Sequence, residues 1–117
     1  YGWLIRRSVV LEGSRGQAAM IRWQQVCQRQ WLKEVRPRIV AWPWENHAWE
    51  REFVRAARHQ GVETLGYQHS TVGRQAINYS YASNPDGFAS IPEKIFCSGG
   101  AGKERLISFG FSGEVGF

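Results

Sequence analysis

Apolar residues in this chain fall into two periods. Ala19, Trp23, Cys27 and Trp31 recur at i, i+4 steps, with Met20, Val26 and Leu32 beside them. That spacing predicts a helix within residues 14–36, from about Gln17 to Val35, with the stripe turned to the core. Pro37 stops it. A second stripe, Trp49, Phe53 and Ala57 with Val54 and Ala56 flanking, predicts a helix from about His47 to Gln60. Asn46 is its expected N-cap and Gly61 its C-terminal stop. Glu50 and Glu52 fall in its first half, and Arg55, Arg58 and His59 in its second, which suits the helix dipole. Short apolar runs flank this helix, Ile39–Trp42 and Val62–Tyr67, each fit for a buried parallel strand. Pro43 cannot donate a ladder bond, so the first strand is expected to end before it.

Residues 37–69 therefore read as a βαβ unit with a right-handed crossover. Residues 93–110 read as a further strand, Glu93–Cys97, and a helix, Gly102–Phe109, with Leu106 and Phe109 inward and Gly110 as its stop. Between them, residues 70–92 keep neither period and carry the turn signal Asn84-Pro85-Asp86-Gly87. A loop of that length inside a compact domain is functional or a warning against the assignment. Residues 1–13 form an uncertain extension: Leu4, Ile5, Val9, Val10 and Leu11 suit a strand or the end of a helix. The fold class expected is α/β: a three-layer Rossmann-like open parallel sheet, one domain or an incomplete one. The chain opens at Tyr1 rather than Met and closes in glycine-spaced sequence (Gly110, Gly113, Gly116), so a piece of a longer protein is expected.

In that arrangement three strand ends, each running into polar residues, lie along one sheet edge. Ligands of open α/β sheets bind outside the carboxyl ends of the strands. The first end gives Trp44, Glu45, Asn46 and His47, and the second Gln68, His69, Ser70 and Thr71. The third gives Ser98, Gly99, Gly100 and Lys103 in a glycine-rich turn before a helix, where backbone N–H groups and the helix dipole favour an anion. That turn lacks the spacing of a P-loop and of the dinucleotide fingerprint, and a plain tight turn explains it as well. Glu45 beside Trp42 and Trp44 is a candidate general base, since a partly desolvated carboxylate holds its proton more tightly. The plainer alternative is a carboxylate that serves only the helix dipole. His69 is a candidate for taking a proton from an alcohol, against the commoner structural histidine. His47 and His59 are weaker candidates, at either end of one helix.

Composition adds limits rather than choices. In 117 residues, 43% hydrophobic content suffices for a modest core, and no run of 18 apolar residues reads as a membrane span. The net charge of +5 favours anionic partners without choosing among nucleotide phosphates, nucleic acid and membrane surface, and solvated surface charge is the more economical account of it. Cys27 and Cys97 have no metal-ligand spacing and are expected to be buried free thiols. Of the six tryptophans, Trp23, Trp31 and Trp49 are expected in the core. Trp42 and Trp44 are placed to stack on a sugar or a base, and Trp3 is a candidate interface residue. The three histidines lack the spacing of a helical zinc pair, so no metal and no cofactor is expected.

The runs Trp44-Glu45-Asn46-His47-Ala48-Trp49-Glu50, Gly66-Tyr67-Gln68-His69-Ser70 and Pro92-Glu93-Lys94-Ile95-Phe96-Cys97-Ser98-Gly99 together resemble bacterial surface-polysaccharide glycosyltransferases of the GT-B type. The resemblance covers roughly Pro37 to Gly110. It implies part of an N-terminal Rossmann-like domain that mainly holds the acceptor, with a second domain for the activated sugar. It also implies that Glu45 and His69 face the cleft between the domains. A glycosyltransferase for lipopolysaccharide or capsule is thus expected, with a nucleotide sugar and a glycan acceptor as partners. Its expected location is cytoplasmic, compatible with the inner face of the membrane. The competing reading is a non-catalytic module for nucleic acid or an anionic surface, although no nucleic-acid recognition motif appears. A third reading leaves the polar strand ends as caps of a plain Rossmann-like fragment.

Overall fold

A computed structural model describes residues 1–73, 76–80, 83, 84, 86–111 and 114–116; of residue 77 and residues 114–116 it describes the backbone alone. The elements run α1 (Gly2–Gly13), α2 (Gly16–Val35), β1 (Ile39–Pro43), α3 (Ala48–His59), β2 (Glu63–Gln68), β3 (Lys94–Cys97), α4 (Gly100–Ser108) and β4 (Glu114–Gly116). Single 3-10 turns at Ile77–Tyr79 and Gly87–Ser90 break the long β2–β3 connection. Pro85 of the expected turn there lies outside the described residues.

The strands form one parallel sheet in the order β1-β2-β3-β4. Val40 pairs with Thr64, Gly66 with Ile95 and Gln68 with Cys97. Because side chains alternate along a strand, Val40, Trp42, Thr64, Gly66, Gln68, Ile95 and Cys97 share one face. That face carries the core. Leu32, Val40, Phe53, Ala57 and Val62 form one cluster under α2 and α3. Trp44, Tyr79, Ile91, Ile95, Cys97, Leu106 and Phe111 anchor the other, under the long connection and α4. Leu106 packs with Ile95 and Cys97, and Phe53 and Ala57 with Val40, so α3 and α4 lie on the same side. On the opposite face, Ile39, Tyr67 and Phe96 remain 50%, 47% and 43% exposed. The parallel α/β sheet is therefore as expected, but among the described residues helices cover only one face of it, not the two of a three-layer fold.

Three local features refine the sequence pattern. Residues 2–13 are helical, the second of the two readings left open there, and α1 buries none of its side chains. In α2 only Leu32 is buried; Trp23 and Trp31 are 67% and 43% exposed, and Cys27 is exposed too. The helix meets α3 through Leu32 and through Trp31, whose ring lies 6.3 Å from that of Phe53, while Trp23 further along the stripe stays largely exposed. Periodicity shows which side of a helix is apolar, not whether a neighbour lies there. The N-cap of α3 is His47 rather than Asn46.

The strand ends differ by a residue or two. β1 runs through Pro43, which an edge strand tolerates. Trp44 N–H then donates to the Tyr67 carbonyl at 2.8 Å, so pairing continues past the proline. α4 starts at Gly100, not Gly102, so two of the turn's glycines belong to its first turn. β4 was not foreseen: its three residues are too short and glycine-rich for a strand pattern.

Gly66 is required where it stands. A Cβ there would sit 3.0 Å from Trp44 Cβ and 3.1 Å from Pro92 Cγ. Its absence lets Trp44 lie flat against β2 and pack edge-on against Tyr79 and Phe111, at 5.2 and 5.8 Å between ring centres. This packing fixes the turn that follows β1, where the first group of candidate residues lies.

Candidate functional site

The β1–α3 turn is built around one buried carboxylate. Glu50 is 1% exposed, and both of its oxygens accept the Glu45 backbone N–H, at 3.1 and 3.2 Å. Its Oε2 also accepts the His47 N–H at 2.6 Å, the carboxylate half of a capping box, and the Glu50 N–H donates to the His47 carbonyl at 3.1 Å. Burial pushes the Glu50 carboxyl above the ordinary carboxylate range, against the downward pull of those backbone bonds. Asn46 takes a left-handed backbone, φ 57°, which asparagine tolerates better than most residues. Its side chain is buried and turned inward: Nδ2 donates to the Asn78 carbonyl at 2.5 Å and to Asn84 at 3.3 Å.

That inward turn leaves Glu45 as the outward carboxylate. Its backbone carbonyl accepts from Asn78 Nδ2 at 2.8 Å. Its Oε2 accepts from Tyr79 Oη at 2.9 Å, and its Oε1 lies 3.8 Å from His69 Nδ1. The last distance is too long for a hydrogen bond. Burial, then the bond to Glu45, raises the Tyr79 hydroxyl far above the ordinary tyrosine value, so it stays a donor. His69 follows β2 directly, half exposed, with its ring stacked over Tyr67 at 6.2 Å. Glu45 and His69, 24 positions apart in the chain, thus meet at the carboxyl edge of the sheet. An imidazole with a carboxylate on its Nδ1 side can take a proton at Nε2 and share the resulting charge.

A second feature lies along the same edge. A cleft of about 370 Å³ opens between the residues after β2 and the start of α4. It brings together Gln68, Ser70, Thr71, Ser98 and Gly99, all singled out from the sequence, with Gly102 and Arg105. Gly100 and Lys103 stand in the first turn of α4. Trp44 and Asn46 join neither group at the surface, being 0% and 3% exposed: they hold the turn in place.

Glu50, Tyr79 and Arg105 were not foreseen. The spacing His47-x-x-Glu50 is a weak capping-box signal, weaker than one opened by Ser or Thr. Nothing in the aperiodic stretch around Tyr79 says that it folds back beneath Glu45. Among the described residues no group of three or more His, Cys, Asp and Glu is placed to hold a metal ion, and no helix is long and apolar enough to cross a membrane. Comparison with protein families, with curated proteins and with solved structures finds no match for this chain.

Proposed function

We propose that this chain is the acceptor-handling part of a GT-B type glycosyltransferase of surface-polysaccharide synthesis, working in the cytoplasm. The observation that carries the reading is the Glu45–His69 pair, 3.8 Å apart at the carboxyl edge of the sheet, with Tyr79 bonded to the other Glu45 oxygen. In the proposed reaction a glycan hydroxyl enters beside His69. Its oxygen attacks the anomeric carbon of a nucleotide sugar, the bond from that carbon to phosphate breaks, and the nucleotide leaves with the electron pair. His69 Nε2 takes the hydroxyl proton, and Glu45 steadies the imidazolium from the Nδ1 side. Tyr79 keeps the carboxylate turned toward His69.

Saturation-transfer NMR with short acidic glycans and nucleotide sugars tests the acceptor role. Saturation of a glycan by this chain, lost in His69→Ala, is the expected result. Equal saturation in the variant, or none from any glycan, overturns it. Transfer assays on the protein that carries this chain test the base: Glu45→Gln and His69→Ala are each expected to lower kcat at least about 100-fold, and near-normal rates in both refute the assignment.

A second reading, a module for nucleic acid or an anionic surface, draws on one observation. Trp3, Trp23 and Trp31 are exposed on α1 and α2, which also carry Arg6, Arg7, Arg22 and Arg29. Binding of single-stranded oligonucleotides that weakens steeply with salt favours it over the first reading.

A further inference from the structure

The cleft beside α4 has a chemistry of its own. α4 opens at the N-cap Gly99 with no side chain capping it, so the backbone N–H groups of Gly100, Ala101 and Gly102 have no intrahelical acceptor. A Cβ on Gly99 or Gly100 would meet nothing within 4 Å, so the side-chain positions at the start of α4 are open. Arg105, one turn further along, lines the same cleft and makes no ion pair among the described residues. Among the described residues no carboxylate lines it. Uncapped donors at the positive end of a helix, together with a guanidinium, call for an anion.

A separate observation points to what the anion is attached to. Gln68 is 0% exposed and lines the cleft. Its Nε2 donates to the Ser70 carbonyl, but its Oε1 has no hydrogen-bond partner among the described residues. That oxygen is aimed at the first turn of α4, 3.0 Å from where a Cβ on Gly102 would stand. A buried acceptor without a donor is costly unless something supplies one. An anion alone supplies none, whereas a ligand hydroxyl does, directly or through one water. Among the described residues the lining includes no aromatic side chain on which a base would stack, which favours a polyol as the attached group.

We propose that this cleft binds a phosphorylated sugar. The phosphate oxygens lie on the N–H groups of Gly100, Ala101 and Gly102 and on Arg105, and a sugar hydroxyl meets the Gln68 amide. The assignment concerns binding alone and stands or falls apart from the transfer reaction at Glu45 and His69.

The test is titration of the isotope-labelled chain, followed by backbone amide shifts, with glucose 6-phosphate, glucose, inorganic phosphate and cytidine monophosphate. Glucose 6-phosphate is expected to shift the amides from Gly99 to Gly102, with affinity about tenfold above inorganic phosphate. Glucose alone is expected to leave them in place. Arg105→Gln is expected to weaken the binding about tenfold. Ala101→Asp separates binding from folding: an acid in the first turn favours the helix but repels the ligand. It is expected to keep the melting temperature while abolishing the shifts. Cytidine monophosphate binding no better than inorganic phosphate supports a sugar rather than a nucleotide ligand. Binding it as tightly as glucose 6-phosphate overturns the polyol assignment. Equal affinity for inorganic phosphate and glucose 6-phosphate overturns the sugar contact. Shifts that survive both substitutions, or no phosphate-dependent shift, overturn the site.

Discussion

Glu50 accepts the Glu45 backbone N–H on both of its carboxylate oxygens, so a buried acid five residues along sets the position of a partly exposed one. Two acids in one turn are thereby given different work. Glu50 holds the turn and caps α3, while Glu45 faces Tyr79 and His69. Removing the first should displace the second. Glu50→Ala leaves the Glu45 and His47 N–H groups without their acceptor and is expected to cost about 2–3 kcal/mol of stability. Glu50→Gln keeps one acceptor oxygen and is expected to cost about 1 kcal/mol. Urea unfolding of the two variants checks both values. A Glu50→Ala cost no larger than that of Glu50→Gln would show that the capping bonds do not hold the turn.

The same carboxyl gives the fold a dependence on pH. Burial raises Glu50 above its unfolded value of 4.5 despite its backbone bonds. Between those two values the folded chain binds more protons than the unfolded chain, so this contribution to stability rises as pH falls. Asp86 behaves oppositely. Burial works to raise it, but the Arg55 guanidinium bonded to its Oδ2 prevails and holds it below 3.8. Its contribution is present above 3.8 and is lost as pH falls through the lower, folded value. Relative to Glu50→Gln, the parent chain should therefore gain stability from about pH 7 to about pH 5. Relative to Asp86→Asn, it should lose stability from about pH 5 to about pH 3. Denaturation curves for the three proteins at those values check the signs.

The two cysteines should separate cleanly in a labelling experiment. Cys97 lies buried against α4, and burial pushes its thiol up, against the weaker opposite pull of Lys103. Cys27 lies exposed on α2. A thiolate reagent acting on the folded chain is expected to modify Cys27 within minutes and to spare Cys97 until denaturant is added. Peptide mass spectrometry reads both sites in one sample, and early modification of Cys97 would contradict its place in the core.

Much of the positioning frame is legible from local sequence. The β1–α3–β2 unit needs only short apolar runs, the Phe53–Ala57 stripe and the stop at Gly61, whose φ of +70° suits glycine. The meeting of Glu45 with His69 also follows, because parallel strands bring their carboxyl ends to one edge. What is not legible depends on long-range closure. Tyr79 reaches Glu45 from an aperiodic stretch, and Arg58 on α3 ties that stretch down through the Phe88 and Ile91 carbonyls. Those bonds join residues about thirty positions apart, and no local period encodes them.

The α2 stripe shows the same limit and gives a stability test. By pattern, Trp23 and Leu32 are both apolar positions of one amphipathic helix. In the fold Leu32 is fully buried with Val40, Phe53, Ala57 and Val62, whereas Trp23 is 67% exposed. Leu32→Ala removes a core side chain and leaves a cavity, so it is expected to cost about 2–5 kcal/mol. Trp23→Ser touches no core contact and is expected to change stability by no more than about 0.5 kcal/mol. Urea unfolding of this chain distinguishes them, provided that protein concentration is varied. A Trp23→Ser loss that grows with concentration would mean that the exposed stripe is covered by another copy in solution. A loss of several kcal/mol independent of concentration would mean that α2 turns Trp23, and not Leu32, toward the sheet.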